Sequence, residues 1–275
     1  WTSSYKKTIL DSRVDATSAC VSYIKESLRK PRVFISASAI GIYGFDQREW
    51  VDESDPAGDD FLGEVCAAWE EASKGAGIRT VNPRIGVVMG KNGGALPQMK
   101  TPYKFWLGGK FGDGNQAFAW IHIDDIVGAI RFCIDNEMAE GPVNLVAPDA
   151  PAQKEFSEKL AHALGVMDLM WVPKFALKAI LGGKSALLWG GQRARPARLK
   201  GGTAEVMASL PMAILPCTPG PLGKGGFAMQ RPQFYEMHNG SKAALPFTVA
   251  EYDTRLAGLR AIMEAQGVSV AVLTS

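Results

Sequence analysis

Long amphipathic segments alternate with short apolar runs in the first part of the chain. Apolar residues recur at helical spacing over 8–29, which predicts a helix with one buried face, ended by Pro31. The short apolar run over 32–38 ends in small polar residues and predicts a buried strand. A polar, turn-rich stretch over 46–60 follows, and a second amphipathic helix is predicted over 61–74.

The alternation continues through the middle of the chain. Residues 79–88 predict a second buried strand that runs into a glycine-rich loop at 90–94. Asp124 or Asp125 is expected to be the N-cap of a later helix. The apolar runs show no two-residue alternation, which is typical of parallel strands covered by helices on both faces. The pattern therefore predicts an α/β fold, with further strands over 120–123 and 142–146 and helices over 126–134, 152–165 and 249–266.

The composition of the chain argues against several classes of protein. The chain has 275 residues, a net charge of +2 and a hydrophobic fraction of 47%. The near balance of charge argues against a polybasic nucleic-acid-binding protein, and the hydrophobic fraction argues against a disordered chain. No apolar run approaches the ~18 residues that a membrane span needs, and no signal peptide is visible. We therefore expect neither nucleic acid nor a membrane as a partner.

The cysteines form no recognisable framework. They lie far apart, with no CxxC pair and no histidine at ligand spacing, so neither a metal site nor a set of disulfides is expected. We interpret them as reduced thiols, most of them buried. The expected compartment is therefore a reducing one, either the cytoplasm or an organelle stroma or matrix. The four residues are Cys20, Cys66, Cys133 and Cys217.

The segment 36–44, Ser-Ala-Ser-Ala-Ile-Gly-Ile-Tyr-Gly, follows the first predicted strand. Loops at the carboxyl ends of parallel strands are where ligands bind in open α/β sheets. The hydroxyl groups of Ser36 and Ser38 are small enough to hydrogen-bond a ligand without filling its space. The alternative is that these small residues only form a tight turn.

Several short motifs share their order and spacing with one family. Over about residues 1–200 the chain resembles the extended short-chain dehydrogenase/reductases. The resemblance is closest to their sugar-nucleotide-epimerase-like branch, which carries a C-terminal domain of unknown function and includes bacterial, cyanobacterial and plastid proteins, some linked to organelle division. The motifs are the Ser-Ala-Ser and Tyr-Gly of segment 36–44, Asp52-Glu53, Trp69-Glu70, Arg84-Ile-Gly-Val-Val, Gly93-Gly94-Ala-Leu, Gly108-Gly109, Gly112-Asp-Gly-Asn-Gln116, Trp120-Ile-His-Ile-Asp-Asp-Ile-Val and Gly191-Gln-Arg-Ala-Arg-Pro196.

The resemblance implies a Rossmann-type parallel sheet and a smaller C-terminal α+β domain. We expect a partial NAD(P)-binding domain over 1–145 and a substrate-side domain over 146–275, with an insertion near 201–226. The family begins with a strand, a Gly-x-x-Gly-x-x-Gly turn and a helix, which bind the cofactor pyrophosphate. This motif has no counterpart in the sequence, so the first strands of the sheet are expected to be missing from it.

The implied cofactor is NADP or NAD. Arg84 lies within the predicted strand 79–88 and can face the cofactor or a substrate phosphate. A surface or interdomain salt bridge is the alternative for this arginine. The resemblance assigns cofactor contacts to Ser36, Ala37, Pro83, Arg84 and Ile85.

The resemblance also implies a departure in catalysis. Most of the wider superfamily uses a Tyr-x-x-x-Lys pair, in which the lysine lowers the pKa of the tyrosine for proton exchange with the substrate. The corresponding positions are interpreted here as Phe61 and Val65, which cannot transfer a proton. Ser38 matches the catalytic hydroxyl position. Tyr43 is either a substitute acid–base group or a packed aromatic residue.

Two further features are interpreted mainly as structural. His122 lies on a predicted strand beside Asp124, and a structural role is favoured for it. The basic cluster over 193–200 contains no interleaved aromatic residues, so it does not meet the pattern of a nucleic-acid site. A solvated face is the leading interpretation of that cluster, and a phosphate contact to a nucleotide-linked substrate is the alternative.

Together these features lead us to expect an NAD(P)-binding, epimerase- or dehydratase-like protein that acts on a nucleotide-linked sugar or a similar hydroxylated small molecule. The alternative is a non-catalytic binding or regulatory protein that keeps the Rossmann fold, such as one with a role in organelle division. The expected partners are a small-molecule substrate and, in a homodimer, a second copy of the chain.

Deletion of the Gly/Pro-rich stretch 201–226 tests whether it is an exposed insertion. Loop length costs only ~0.6 kcal/mol per doubling, so the melting temperature is expected to change by no more than about 2–4 °C. Differential scanning calorimetry of the intact and shortened chains measures this. A much larger fall would mean that the stretch packs into the core.

Overall fold

The computed structural model describes residues 2–45, 47–91, 93–105, 108–168, 170–172, 191–199 and 272–273. The helices of this part are α1 (Ser3–Glu26), α2 (Phe61–Lys74), α3 (Leu96–Lys104), α4 (Ile123–Asp135) and α5 (Gln153–Leu164), with a 3₁₀ turn at Ile40–Tyr43. Its strands are β1 (Phe34–Ser36), β2 (Ser38–Ala39), β3 (Gln47–Val51), β4 (Thr80–Ile85), β5 (Val87–Met89), β6 (Gly109–Phe111), β7 (Trp120–His122), β8 (Gly141–Leu145), β9 (Met170–Val172), β10 (Gln192–Ala194) and β11 (Val272–Leu273).

Strand β4 is the centre of the main sheet. Along one edge it pairs with β1 and then β2, and along the other edge it pairs with β8. β11 pairs with the far edge of β1, and every pairing in this sheet is parallel. The predicted α/β fold with a parallel sheet is therefore confirmed. Strand and helix bounds differ from the predicted ones by a few residues.

The two faces of this sheet differ in polarity. On the α4 face, apolar residues of β1, β4 and β8 pack with α4. On the opposite face, toward α1 and α2, polar residues alternate with them along the same strands. The apolar set includes Ile35, Val81, Val143 and Leu145; the buried polar set is Ser36, Ser38, Asn82, Arg84 and Asn144. The strands are buried on both faces as predicted, but the expectation of no two-residue alternation was wrong, because hydrogen-bonded polar groups replace apolar ones on one face.

Side chains fix the starts of two helices. Asp60 is the N-cap of α2 and accepts hydrogen bonds from the amides of Leu62 and Gly63. The N-cap of α4 is His122, whose Nδ1 accepts from the amide of Asp124 at 3.3 Å. The expectation of Asp124 or Asp125 as the N-cap of α4 was wrong by two or three residues. The structural role favoured for His122 agrees with this geometry.

A smaller cluster lies around α3 and α5. Tyr103, Phe156 and Leu160 are buried in it, together with Met89 from β5. Here β6 pairs with β9, and β3 pairs with β10 in a separate two-stranded sheet. These short strands have no counterpart among the predicted elements, because each has three to five residues and a partner far away in the chain. The predicted domain boundary at 145 stays a prediction, and the segments 201–226 and 249–266 lie outside the described residues.

The end of α4 is held by one arginine. Arg79 precedes β4, and its guanidinium donates four hydrogen bonds of 2.8–3.0 Å to carbonyl groups at the end of the helix and just after it. Carbonyl groups at a helix end lack intrahelical partners, and a cation there also interacts favourably with the helix dipole. The four acceptors belong to Cys133, Ile134, Asn136 and Ala139.

Substitution Arg79→Met is expected to lower the free energy of unfolding by about 2–3 kcal/mol, because it leaves these half-buried carbonyl groups without a charged donor. Urea denaturation measures the change. The control is Arg131→Met on α4, whose exposed ion pair with Asp135 should contribute less than about 0.5 kcal/mol. Similar losses in both variants would contradict the role assigned to Arg79.

Candidate active site

The segment 36–44 is more ordered than a loop. Ser36 ends β1, and Ser38 and Ala39 form β2 in register with Arg84 and Ile85 of β4. The 3₁₀ turn over 40–43 follows. The part that projects beyond the sheet is therefore shorter than predicted, and we refer to residues 40–45 as the edge loop.

The hydroxyl of Ser38 faces α2. It donates a 2.7 Å hydrogen bond to Oε1 of Glu70. Arg84 donates to the same carboxylate through Nε (2.8 Å, to Oε1) and Nη2 (2.9 Å, to Oε2), in a bidentate pair. The side chains of Arg84 and Glu70 are only 7% and 11% exposed, so this is a buried ion pair. Burial by itself would lower the pKa of Arg84, but the hydrogen bonds and charge of Glu70 outweigh it and raise that pKa.

The phenol of Tyr43 continues this network. It accepts a 2.9 Å hydrogen bond from Nη1 of Arg84 and donates one of 2.8 Å to Oδ1 of Asn144 on β8. Burial raises the pKa of Tyr43, an effect that the positive charge of Arg84 offsets only in part. Tyr43 is therefore a packed and fully hydrogen-bonded residue in this structure. Its proton is not free for transfer to a ligand while the bond to Asn144 is made.

A second buried carboxylate lies beyond Asn144. Glu53 is 6% exposed and accepts a 2.9 Å hydrogen bond from the amide of Asn144. It also accepts from the amides of Ala197 (3.1 Å) and Arg198 (3.3 Å). Glu53 thus joins β8 to the segment 191–199. Three backbone donors stabilise the buried charge in place of a cation.

Two helix positions interpreted as the sites of the missing Tyr–Lys pair face away from Ser38. Phe61 lies under Nζ of Lys6 on α1, 4.8 Å from its ring centroid, and Trp69 lies under Arg13 of α1 at 5.3 Å. Val65 is one turn from each of them on the same stripe and is 2% exposed. This stripe of α2 therefore packs against α1, and the correspondence of Phe61 and Val65 to the Tyr–Lys positions stays a prediction.

The stripe that faces the sheet begins one residue later. Leu62 lies 3.6 Å from the position that a Cβ on Gly41 would occupy. Cys66 packs with Tyr43 in a buried cluster, and Glu70 follows at the next turn. The pair at i and i+4 beside the edge loop is therefore Leu62 and Cys66. Burial raises the pKa of Cys66 to about 11, so its thiol stays protonated at neutral pH.

The predicted cofactor contacts have inward side chains. Ser36 is fully buried on the α1–α2 face; its carbonyl accepts a 3.2 Å bond from Asn82, and its hydroxyl has no hydrogen-bond partner in the described part of the chain. Ala37 is buried, and Pro83 and Ile85 are on the α4 face, where Ile85 packs on the core. Arg84 is neither at a surface nor in an open cleft, because Glu70 and Tyr43 hold it.

In the sequence, Glu53 and Glu70 stand out only as members of motifs, and Asn144 does not stand out at all. The available signal was the alternation Val-Asn-Pro-Arg-Ile in β4 and Val-Asn-Leu in β8, which puts Asn82, Arg84 and Asn144 on one face. Within the described ranges, no group of three His, Cys, Asp or Glu side chains is arranged to hold a metal ion. No helix in this part of the chain has the length and apolar character of a membrane span.

Comparison with known proteins identifies relatives. A family model, Domain of unknown function (DUF1731), matches residues 172–201. The Epimerase family protein SSP1921 of Staphylococcus saprophyticus is 40% identical over 204 residues, 73% of this chain and 68% of the relative. The crystal structure of human epimerase family protein SDR39U1 with NADPH is similar with a TM-score of 0.69 and 30% identity, over 76% of this chain and 71% of that chain. A nucleoside-diphosphate sugar epimerase from Corynebacterium glutamicum is similar with a TM-score of 0.60 and 34% identity, over 76% of this chain and 42% of that chain.

Substitution Glu70→Gln is expected to lower the free energy of unfolding by about 3 kcal/mol, because it leaves the charge of Arg84 buried without a counter-ion. Chemical denaturation monitored by circular dichroism gives the value. The matched control is Glu71→Gln, one residue along α2, where the carboxylate is 71% exposed and pairs with Lys74 at the surface. That variant should lose less than about 0.5 kcal/mol. Equal losses would show that the pair with Arg84 is not what stabilises the fold.

Proposed function

The chain belongs to the epimerase family of extended short-chain dehydrogenase/reductases, and we propose that it binds NADP or NAD and acts on a nucleotide-linked sugar or a similar hydroxylated small molecule. The observation that carries this proposal is the likeness to the NADPH-bound human protein over three quarters of the chain. Bound to such a protein, the cofactor supplies hydride transfer. The protein supplies binding, orientation and the control of protons.

The nicotinamide end of the cofactor suits the edge where β1, β4 and β8 finish, because ligands bind outside the carboxyl ends of strands in open parallel sheets. The pyrophosphate end needs helix amides that are free and have no negative charge beside them. The start of α2 does not fit it, since Asp60 already binds those amides. The start of α4 does not fit it either, since Asp124 and Asp125 lie in its first turn. We therefore assign the nicotinamide end of the cofactor to the described residues and assign the pyrophosphate to neither of these two helix starts.

The glycine-rich loop 90–94 offers a place for a substrate phosphate. It joins β5 to the start of α3, and the N-cap residue of α3, Ala95, makes no side-chain hydrogen bond to the helix amides. Lys91 is exposed in this loop, and Gly94 has a positive φ of 73°. Pro97 in the first turn of α3 has no amide proton, so Lys91 and the remaining amides of that turn are the groups that favour an anion. This loop supports a nucleotide-linked rather than a simple sugar substrate.

Ser38 is the proposed contact to the reacting oxygen. Since its only hydroxyl proton is donated to Glu70, its oxygen meets a ligand as an acceptor, which favours a substrate hydroxyl over a carbonyl. Arg84 fixes the Glu70 carboxylate and thereby the orientation of that hydroxyl. Tyr43 remains the second proposed group, and it requires loss of its bond to Asn144 before it can donate a proton.

A second candidate function is ligand binding without catalysis. The specific observation that favours it is that the hydroxyl protons of both Ser38 and Tyr43 are donated inside the protein, while the helix pair beside the edge loop is Leu62 and Cys66. Neither leucine nor a thiol with a pKa of about 11 replaces a tyrosine–lysine pair. Both candidate functions include binding of the ligand, and only the first includes its turnover.

The test is binding followed by turnover. Reduced nicotinamide mononucleotide, NADPH and NADH are titrated against the chain by nicotinamide fluorescence, and a panel of sugar nucleotides and free sugars is then added while nicotinamide absorbance is followed. Binding of the mononucleotide with a spectral change on adding a sugar nucleotide supports the enzyme. Binding without any spectral change supports the second candidate. No binding of any nicotinamide compound contradicts both.

Two variants test the proposed roles. Ser38→Ala should lower the turnover rate about ten- to hundredfold, because it removes one hydrogen bond to the reacting oxygen, worth on the order of 1–3 kcal/mol. Lys91→Gln should raise the KM for a sugar nucleotide by about threefold to tenfold and leave kcat unchanged. Its control is Lys104→Gln at the other end of α3. If Ser38→Ala has no effect and Tyr43→Phe abolishes turnover, Tyr43 is the proton-transfer group.

A further inference from the structure

The segment 191–199 lies within the part of the chain matched by a domain of unknown function, and the structure gives it specific contacts. Its strand β10 pairs with β3, in register from Arg193 with Trp50 and from Ala194 with Val51. The amide of Arg195 extends this pairing with a 3.0 Å hydrogen bond to the carbonyl of Val51. The segment is therefore attached to the strand that follows the edge loop.

The segment also contacts the edge loop directly. Nε2 of Gln192 donates a 2.7 Å hydrogen bond to the carbonyl of Gly44, the residue that ends the 3₁₀ turn. Ala194 is fully buried in one cluster with Ile40, Ile42 and Tyr43. Three of the four residues of the 3₁₀ turn thus share one buried cluster with this side chain.

A second, indirect connection runs through Asn144. Its side chain donates a 2.9 Å hydrogen bond to the carbonyl of Arg195 and accepts the phenol proton of Tyr43. Its backbone amide donates to Glu53, which also accepts from the amides of Ala197 and Arg198. Asn144 is therefore oriented on one side by the segment and in turn orients the edge loop on the other.

We propose that the segment 191–199 positions the edge loop, with Glu53 and Asn144 as the positioning residues that link the two. Attachment of the segment and the ordered conformation of the edge loop then stabilise each other, and by linkage the effect has the same size in both directions. A ligand that orders the edge loop therefore also strengthens the attachment of the segment. This last step rests on the proposed nicotinamide binding. The inference gives a physical role to a segment whose family description assigns none.

Hydrogen–deuterium exchange on the full chain without ligand tests the coupling. Glu53→Gln places a side-chain NH₂ group against backbone donors, and it should speed exchange about tenfold in peptides from both 191–199 and 40–45, with the rate in α4 unchanged. The control is Glu49→Gln, an exposed carboxylate on the same strand β3, which should change neither peptide. Faster exchange in 191–199 alone overturns the proposal. Faster exchange in α4 as well means a general loss of stability and also overturns it.

The coupling is tested in the reverse direction by a substitution in the edge loop. Tyr43→Phe keeps the packed ring and removes the hydrogen bonds to Asn144 and Arg84, so exchange in 191–199 should rise by a factor similar to that in 40–45. Gln192→Ala removes the direct hydrogen bond to Gly44 with little effect on folding, and it should speed exchange a few-fold in both peptides. Unchanged exchange in the peptide remote from each substitution contradicts the coupling.

The effect of a ligand on the coupling is measured in a separate experiment. Reduced nicotinamide mononucleotide should slow exchange in 191–199 as well as in 40–45, and its Kd should rise about fivefold in Glu53→Gln relative to Glu49→Gln. Protection of the edge loop without protection of the segment overturns the inference. Absence of binding contradicts the proposed function and leaves the result of the ligand-free exchange to decide the coupling.

Discussion

The buried ion pair between Glu70 and Arg84 is the interaction on which the rest of this structure depends. Removing two charges from water costs several kcal/mol per ion, on the order of what the pair regains by its mutual attraction. Each nitrogen of the guanidinium and each oxygen of the carboxylate has a hydrogen-bond partner: Ser38 and Arg84 donate to Glu70, and Arg84 also donates to Tyr43. Its physical effect is therefore on geometry. Any shift of α2 along the sheet would leave a charge unpaired.

The ion pair also accounts for the unequal faces of the sheet. On the α4 side, contacts among apolar residues tolerate small displacements, because dispersion and apolar burial have no direction. On the α1–α2 side, the hydrogen bonds that join β2, β4 and β8 to α2 and to the edge loop are directional. One face of the sheet thus provides most of the burial, and the other sets the positions of the strand ends where ligands of this fold bind.

For the chemistry, the same interactions restrict what the hydroxyl groups can do. In a protein of the epimerase family, a side chain of the site is expected to exchange protons with the substrate. Here Ser38 and Tyr43 both donate their hydroxyl protons to groups inside the protein, and Leu62 and Cys66 face the edge loop. In the proposed function, the acceptor oxygen of Ser38 is the atom that contacts a substrate hydroxyl group. Segment 191–199 contributes to the environment of Tyr43 through Asn144, whose side chain donates to the carbonyl of Arg195.

The sequence by itself determined the α/β fold, the long helices and the central strands, because apolar periodicity over ten or more residues reflects burial directly. It also identified Ser38, Tyr43 and Arg84 as residues of interest from their place in or after predicted strands. Only the tertiary structure decided where these side chains point. The rotation of α2 turns Phe61 and Val65 toward α1 and Leu62 and Cys66 toward the edge loop, a difference of one residue that an apolar pattern does not resolve. The partners of Arg84 and Glu53 lie 14 to 145 residues away, and pairing over such distances leaves no local signal in the chain.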